Sequence, residues 1–366
     1  MIYNSVHLLM DKLLDLYTDY LLSSFGQTSA TGLSNMLDNA IKHDHFTRLL
    51  RESKFDSKYL WLSVKPLVRE HQTEDGCLIF DDSIVEKPYT DENDMVCWHW
   101  DHSKSRNVKG INILSAFYHS HKGSQALRVP VAIETIRKTI RFCDIKTKKE
   151  KRASPITKNE LMQNMTLQAI GNGLIFKYIL GDTWFASSAN MRFVASKNKF
   201  FIFDLQSNRL ACLSEENRNK GSWTNIDELQ IPNNSPLKVW LKDLEFPVLM
   251  SKQIFTNKDS STGVRFLVSN DFTLTDEQFT TIYKKRWTVE EYHKSIKQNA
   301  SVAKSPTRTL QTQTNHLFAS ILAYVKLERL KFANKMSHFS LKAKIYQQAL
   351  KAAFNELIVL KQAAYA

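Results

Sequence analysis

Over the first 70 residues the apolar positions recur at helical spacing. Residues 7–22 are amphipathic, a Ser/Gly/Thr turn covers 23–31, and residues 33–50 resume the three-to-four repeat. At Gly76 the pattern changes to short apolar runs of strand length. One covers 77–80 and ends in Asp81-Asp82-Ser83; others cover 110–118 and 127–134, with a turn at Lys122-Gly123 between them. A basic stretch at 146–152 reads as poorly ordered. Beyond it come a helix at about 158–170, a buried strand at 174–180 ending at Gly181-Asp182, a helix at 188–195 and a strand at 200–203. Strands followed by alternating helices and strands predict a three-layer α/β architecture.

Between about 206 and 271 short strands such as 237–241 and 264–268 alternate with polar turns, which predicts a β-rich insertion. Thr275 and Gln278 then have the spacing of a capping box, and helical segments follow at about 312–331 and from 341 to the end. The expected organisation is a helical region at 1–74, an α/β domain at 75–205 and 272–335 interrupted by the insertion at 206–271, and a helical region at 336–366.

The helix opened by the capping box carries Tyr283, Arg286, Glu290 and Lys297 at offsets of 0, 3, 7 and 14. At 3.6 residues per turn they project within roughly 60° of one another, so a phenol, a guanidinium, a carboxylate and an ammonium share one face. Ile282, Val289 and Ile296 repeat every seven residues roughly 100° away, which assigns the core to that stripe and leaves the charged row outside it.

Charge narrows the class of partner. Lys and Arg number 50 against 37 for Asp and Glu, a formal net charge of +13, which favours a polyanion such as nucleic acid or an acidic membrane surface. No segment has the apolar length needed to span a bilayer. The apolar run at 6–10 is broken by Asp11 and Lys12 and follows no basic region, so it reads as part of an amphipathic helix and not as a signal peptide. Cys77, Cys97, Cys143 and Cys212 are widely spaced with no CxxC pair, which argues against a disulfide framework and fits a reducing compartment. Cys97, His99 and His102 match no standard zinc spacing.

Acidic residues stand at the ends of two predicted strands, Asp81 with Asp82 on the first and Asp182 on the second, and Glu290 supplies a third carboxylate. Converging carboxylates make a hard, oxygen-only donor set suited to Mg²⁺ or Mn²⁺, and paired ions of that kind stabilise the attacking and leaving oxygens of phosphoryl transfer. An Asp after a strand also caps turns, so each position alone decides nothing. With Glu290 on a metal, Tyr283, Arg286 and Lys297 are left as donors for phosphates.

Tyr283, Arg286, Glu290 and Lys297 match without a gap the Y-x2-R-x3-E-x6-K signature of a large group of bacterial insertion-sequence transposases of the DDE superfamily. The resemblance extends in organisation from about Leu78 to Leu330. It implies a ribonuclease-H-like mixed sheet flanked by helices with a β-rich insertion before the final glutamate, two Mg²⁺ or Mn²⁺ ions per site, and cut-and-paste DNA transposition. It also implies DNA as partner, both terminal inverted repeats and target, a homodimer on paired ends, and a bacterial cytoplasmic, nucleoid-associated location with no membrane.

Carried over to this chain, the resemblance makes Asp81, Asp182 and Glu290 the catalytic, metal-holding residues. Asp81 is preferred because Ser83 follows two residues on, and Asp82 is the alternative. Tyr283, Arg286 and Lys297 would contact phosphates, and Trp287 is similar to a tryptophan that some members stack on DNA bases. Trp223, in a Gly-Ser-Trp-Thr turn, is the preferred second aromatic over Trp240, which alternates with apolar neighbours. Lys104, Arg106 and Lys109, in a basic turn after the first Asp, are further phosphate candidates. Two other functions share the fold: a decayed or domesticated DNA-binding protein, and a stand-alone nuclease.

Overall fold

The computed structural model describes residues 2–123, 125–233, 235–256 and 259–365, the side chains of 2–8 and 365 excepted, so the apolar run at 6–10 lies partly outside the described side chains. Four helices come first: α1 (Ile2–Ser23), α2 (Ala30–Met36), α3 (His43–Glu52) and α4 (Ser57–His71). The predicted repeat at 33–50 is therefore two helices. Asp38 and Asn39 adopt positive φ between them, the left-handed geometry that short polar side chains tolerate in a tight turn.

The strands and helices that follow are β1 (Cys77–Glu86), β2 (Val96–Asp101), β3 (Arg106–Lys122), β4 (Gln125–Thr135), β5 (Ile140–Cys143), β6 (Glu150–Ala153), α5 (Lys158–Gly171), β7 (Tyr178–Gly181), α6 (Ser188–Ser196) and β8 (Phe200–Leu205). Next come β9 (Leu210–Cys212), α7 (Glu215–Asn219), β10 (Thr224–Asn225), β11 (Leu237–Leu241), β12 (Val248–Thr256) and β13 (Thr262–Ser269). The chain ends in α8 (Asp276–Lys284), α9 (Trp287–Gln298), α10 (Leu310–Asn334) and α11 (His338–Tyr365). Two corrections to the pattern reading follow. Asp81 and Asp82 sit inside β1 and not at its end, because β3 keeps pairing with β1 as far as Glu86. The stretch at 146–152 is not without order: it forms the turn and second strand of the β5–β6 hairpin.

One mixed sheet runs β10-β9-β11-β12-β13-β8-β7-β1-β3-β2, with β4 also on β3. The antiparallel meander of β1, β3 and β4 followed by parallel β7 and β8 gives the spatial order β4-β3-β1-β7-β8, a ribonuclease-H-like sheet. The strands of the 206–271 segment extend this sheet from β8, through the β13–β8 pairing.

Adjacent residues of β1 show that helices cover both faces. Asp81 points toward His293 on α9, and Asp82 toward Lys158 on α5. α9 is seated by an aromatic cluster: Tyr292 stacks on Phe117 of β3 at 5.1 Å between centroids and meets Tyr324 of α10 edge-on at 4.8 Å. Such pairs contribute about 0.5–1.5 kcal/mol beyond their buried area, and this one fixes the helix two residues from Glu290. The N-terminal helices close over α10, where buried Asn315 donates to the carbonyls of Leu50 and Ser53 and accepts from the Phe55 amide.

Candidate active site

The parallel register sets the centre of the site. Cys77 faces Tyr178 and Ile79 faces Leu180, so continuing by two residues places Asp182 beside Asp81. The next pairing, Gly181 with Phe203, places Asp204 beside Asp182 in the same way. Three aspartates therefore stand in a row across β1, β7 and β8, about 4.8 Å apart in the strand-to-strand direction. Asp204 carries the same sequence signal as Asp182, an acid closing an apolar run, and the sequence reading passed over it.

The predicted single helix bearing the signature is two helices. Between α8 and α9 the backbone tightens to i→i−3 bonds, with the Arg286 amide donating to Tyr283 O at 2.9 Å and the Val289 amide to Arg286 O at 3.1 Å. Overwinding adds about 20° per residue relative to an α-helix. Tyr283 and Arg286 are 2% and 9% exposed, with Arg286 beside both Glu290 and the Tyr283 ring, so this part of the row faces into the protein. The expectation that the charged row lies outside the core fails for these two. The Tyr283 hydroxyl points to Gly181 O, at 3.4 Å, so it braces the chain before Asp182 and is not presented to solvent. Val289 and Ile296 are buried as expected.

Arg286 lies among the acids. Its Nη2 is 2.9 Å from Glu290 Oε1, and its buried Nε has no partner among the described residues. Burial works against its charge, yet Tyr283, Asp81, Glu290 and Asp182 together raise its pKa. The acids are raised too, which in their case disfavours the charge. Asp81 is pushed up to about 7, first by burial and then by Asp182, Asp82 and Glu290, with Arg286 opposing. Burial also raises Asp182, against the Trp184 amide that donates to its Oδ1 at 3.0 Å. Asp204 is pushed up to about 6 by burial, with Arg265 at 3.2 Å and Arg286 opposing.

Asp82, the alternative first ligand, faces the other side of the sheet and pairs with Lys158 at 2.8 Å. His293, one turn beyond Glu290, reaches Asp81 instead, with Nδ1 3.6 Å from Oδ2. Burial drives its pKa down to about 3, so the imidazole is neutral and this contact is not an ion pair. The i+3 spacing from Glu290 was the signal that would have found it.

Asp81, Asp82, Ser83, Glu290, His293, Lys294, Lys297 and Gln298 line an open cleft of about 400 Å³. Lys297 stands at its edge and donates to Ser83 Oγ at 2.7 Å. Trp287 is exposed with Arg286 against its ring, Arg106 is exposed, Lys109 is half-buried, and Lys104 is ion-paired to Glu86. Trp223 is not brought to the site. It precedes β10 at the far edge of the sheet, seven strand positions from β1, because the strands after β8 extend the sheet outward. Trp240 is buried under Arg218, in keeping with its reading as core.

The donor set suits a hard divalent cation: its groups are carboxylates, and burial raises the pKa of Asp81 and Asp182 by disfavouring their charge in the absence of a cation. As they stand, no three Asp, Glu, His or Cys side chains among the described residues are arranged to hold an ion, with Glu290 turned to Arg286. The residues fit the group in chemistry: Asp81, Asp182 and Glu290 would hold it, and Arg286 engages Oε1 of Glu290.

Residues 72–326 match the family model of the transposase DDE domain. No curated protein matches the sequence. Among solved structures, the Drosophila P element transposase strand transfer complex aligns at 10% identity and a TM-score of 0.17, over 47% of this chain and 43% of that one. The chain thus spans less than half of that protein, and so low a score carries no argument. The family model covers well over half of the sequence, including every carboxylate of the cleft, and the chain belongs to the transposase DDE domain family.

Proposed function

We propose that this protein cuts DNA at the ends of a mobile element and joins the freed ends to target DNA, with Asp81, Asp182 and Glu290 as its catalytic carboxylates. The observation that carries the reading is the juxtaposition of buried Asp81 with Asp182 across adjacent parallel strands, with Glu290 and Arg286 within electrostatic reach at an open cleft. Two Mg²⁺ or Mn²⁺ ions bound there would stabilise the attacking and leaving oxygens of phosphodiester transfer. Water attacks the scissile phosphorus and a 3′ hydroxyl leaves; that hydroxyl then attacks a phosphodiester of the opposite strand or the target, with no covalent enzyme intermediate.

The chain's own residues have distinct parts. Arg286 holds Glu290 while no cation is present, and Tyr283 fixes the turn before Asp182. Neutral His293 packs against Asp81 and keeps the carboxylate directed into the cleft. Lys297, Trp287, Lys104, Arg106 and Lys109 are the DNA-facing groups, an assignment supported by positive charge at the rim of the cleft. Residues 75–205 and 272–335 form the catalytic domain in this reading, and 1–74 serves recognition of element ends. Two ends need two sites, which makes the working form a dimer; exposed Leu350, Phe354, Leu357 and Leu360 on α11 suit contact with a second copy.

The deciding experiment follows a labelled DNA end carrying the inverted repeat that flanks the gene. Cleavage and strand transfer are expected with Mg²⁺ or Mn²⁺ and not in EDTA, and Glu290→Gln should abolish both while the protein stays folded. Activity persisting in Glu290→Gln, or none in the wild type with either metal, overturns the proposal.

A further inference from the structure

Large aromatic side chains are seldom left open to solvent without a partner. Of the seven tryptophans here, four are about half exposed: Trp98 at 52%, Trp100 at 53%, Trp184 at 53% and Trp287 at 47%. Trp184 adjoins Asp182 and Trp287 adjoins Arg286. Trp98 and Trp100 belong to no part of the site described above, and the Trp100 ring meets His102 edge-on at 6.3 Å.

The strand register places them relative to the cleft. On β3, Ser115, Ile113 and Ile111 face Asp81, Ser83 and Val85 of β1, while Ile111, Lys109 and Asn107 face Val96, Trp98 and Trp100 of β2. Directly opposed residues share a face, and alternate residues of one strand share it too. The two indoles, Lys109 and Asn107 are therefore on the same face of the sheet as Asp81 and Ser83. Val85 and Ile111 are still buried at 2% and 3%, and beyond them this face is open. His99, between the tryptophans, points to the other side and is buried.

The indoles are about 6.6 Å apart along the strand, room for a base on each. Cations frame them. Lys109 is opposite Trp98, Lys138 donates to the Trp98 carbonyl at 2.6 Å and Arg106 begins β3 opposite Asp101, while Lys104 in the turn is ion-paired to Glu86. From Asp81 the platform is six residues along β3 and two strands across, about 22 Å, the length of roughly six stacked nucleotides. Lys297 stands on the way, at Ser83.

We propose that Trp98 and Trp100 form a stacking platform for unpaired bases of the DNA strand that leaves the cleft past Lys297. An indole meets the face of a base only where the base is out of a duplex, because paired DNA presents phosphates and base edges. The surrounding lysines and arginine favour a polyanion and would repel the same surface of a second copy of this chain. Only the direction of the strand rests on the DNA-cutting reading.

Binding of labelled oligo(dT) and of a blunt duplex to the full chain, measured by fluorescence anisotropy in EDTA, tests this without cleavage. Trp98→Ala and Trp100→Ala should each weaken oligo(dT) binding about 5- to 150-fold, the equivalent of a base–aromatic stack. Duplex affinity should stay within about twofold, and Trp98→Phe and Trp100→Phe should restore most of the loss. Unchanged oligo(dT) affinity, equal losses for both probes, or a change in sedimentation alone overturns the platform. If oligo(dT) affinity falls as stated in a protein that never cleaves DNA, the platform stands and the transposition reading fails. If cleavage is intact and the alanine variants bind oligo(dT) normally, only the platform fails.

Discussion

Replacing Asp81 with Asn should make the metal-free protein more stable at pH 8, although it removes a proposed catalytic group. Folded Asp81 keeps its proton up to about pH 7, whereas the unfolded chain releases it near 3.8. Between those values the folded state binds the extra proton, so this group's stabilising contribution is present below 3.8 and is lost as pH rises to about 7. At 1.36 kcal/mol per tenfold step the interval corresponds to about 4 kcal/mol, and water entry into an open cleft reduces the expected measurable effect to about 1–3 kcal/mol. Asn keeps the shape and removes the charge. Urea unfolding in EDTA should show Asp81→Asn more stable than wild type at pH 8 and equal to it near pH 3. Mg²⁺ at a hundred times its dissociation constant should add about 2.7 kcal/mol to the wild type at pH 8 and markedly less to the variant. A variant less stable than wild type at pH 8, or an equal gain from Mg²⁺ in both proteins, would refute the reasoning.

Other perturbations test the neighbouring parts. Arg286→Met removes the cation that opposes proton binding at Asp81, so the upper end of the pH-dependent stability change should move above 7; a midpoint left in place would separate the two groups. Lys297→Ala should weaken duplex binding regardless of sequence and lower the slope of log affinity against log salt by about 1, which a salt titration measures. Asn315→Leu leaves the Leu50 carbonyl and the Phe55 amide without this partner, while the Ser53 carbonyl keeps Gln311, and should cost about 3 kcal/mol in chemical denaturation with little effect on metal-induced stabilisation.

Most elements were legible because their signals are local. The Thr275–Gln278 capping box forms as its spacing predicts, and the acid-terminated apolar run before Asp182 marks a strand that lies against β1. The β5–β6 hairpin is hard to read because its strands are four residues each, largely exposed, and β6 is Glu-Lys-Arg-Ala with no apolar alternation. Asp204 and His293 do carry local signals, an acid closing an apolar run and an i+3 spacing from Glu290, but only strand pairing and the packing of α9 on β1 place them beside Asp182 and Asp81.

By itself the sequence determined which residue types were available and the order of the elements that carry them, since periodicity, turn chemistry and the signature spacing all act within a few residues. It did not determine which groups face one another. Asp81 and Asp82 are neighbours in the chain and both line the cleft, and the pleat of β1 turns Asp81 toward His293 and Asp82 toward Lys158. Packing against the sheet likewise buried Tyr283 and Arg286 of the signature row and left Lys297 at the rim. Helical spacing assumes an unbroken helix, and the packing of α8 and α9 against the sheet set the actual rotation between their residues.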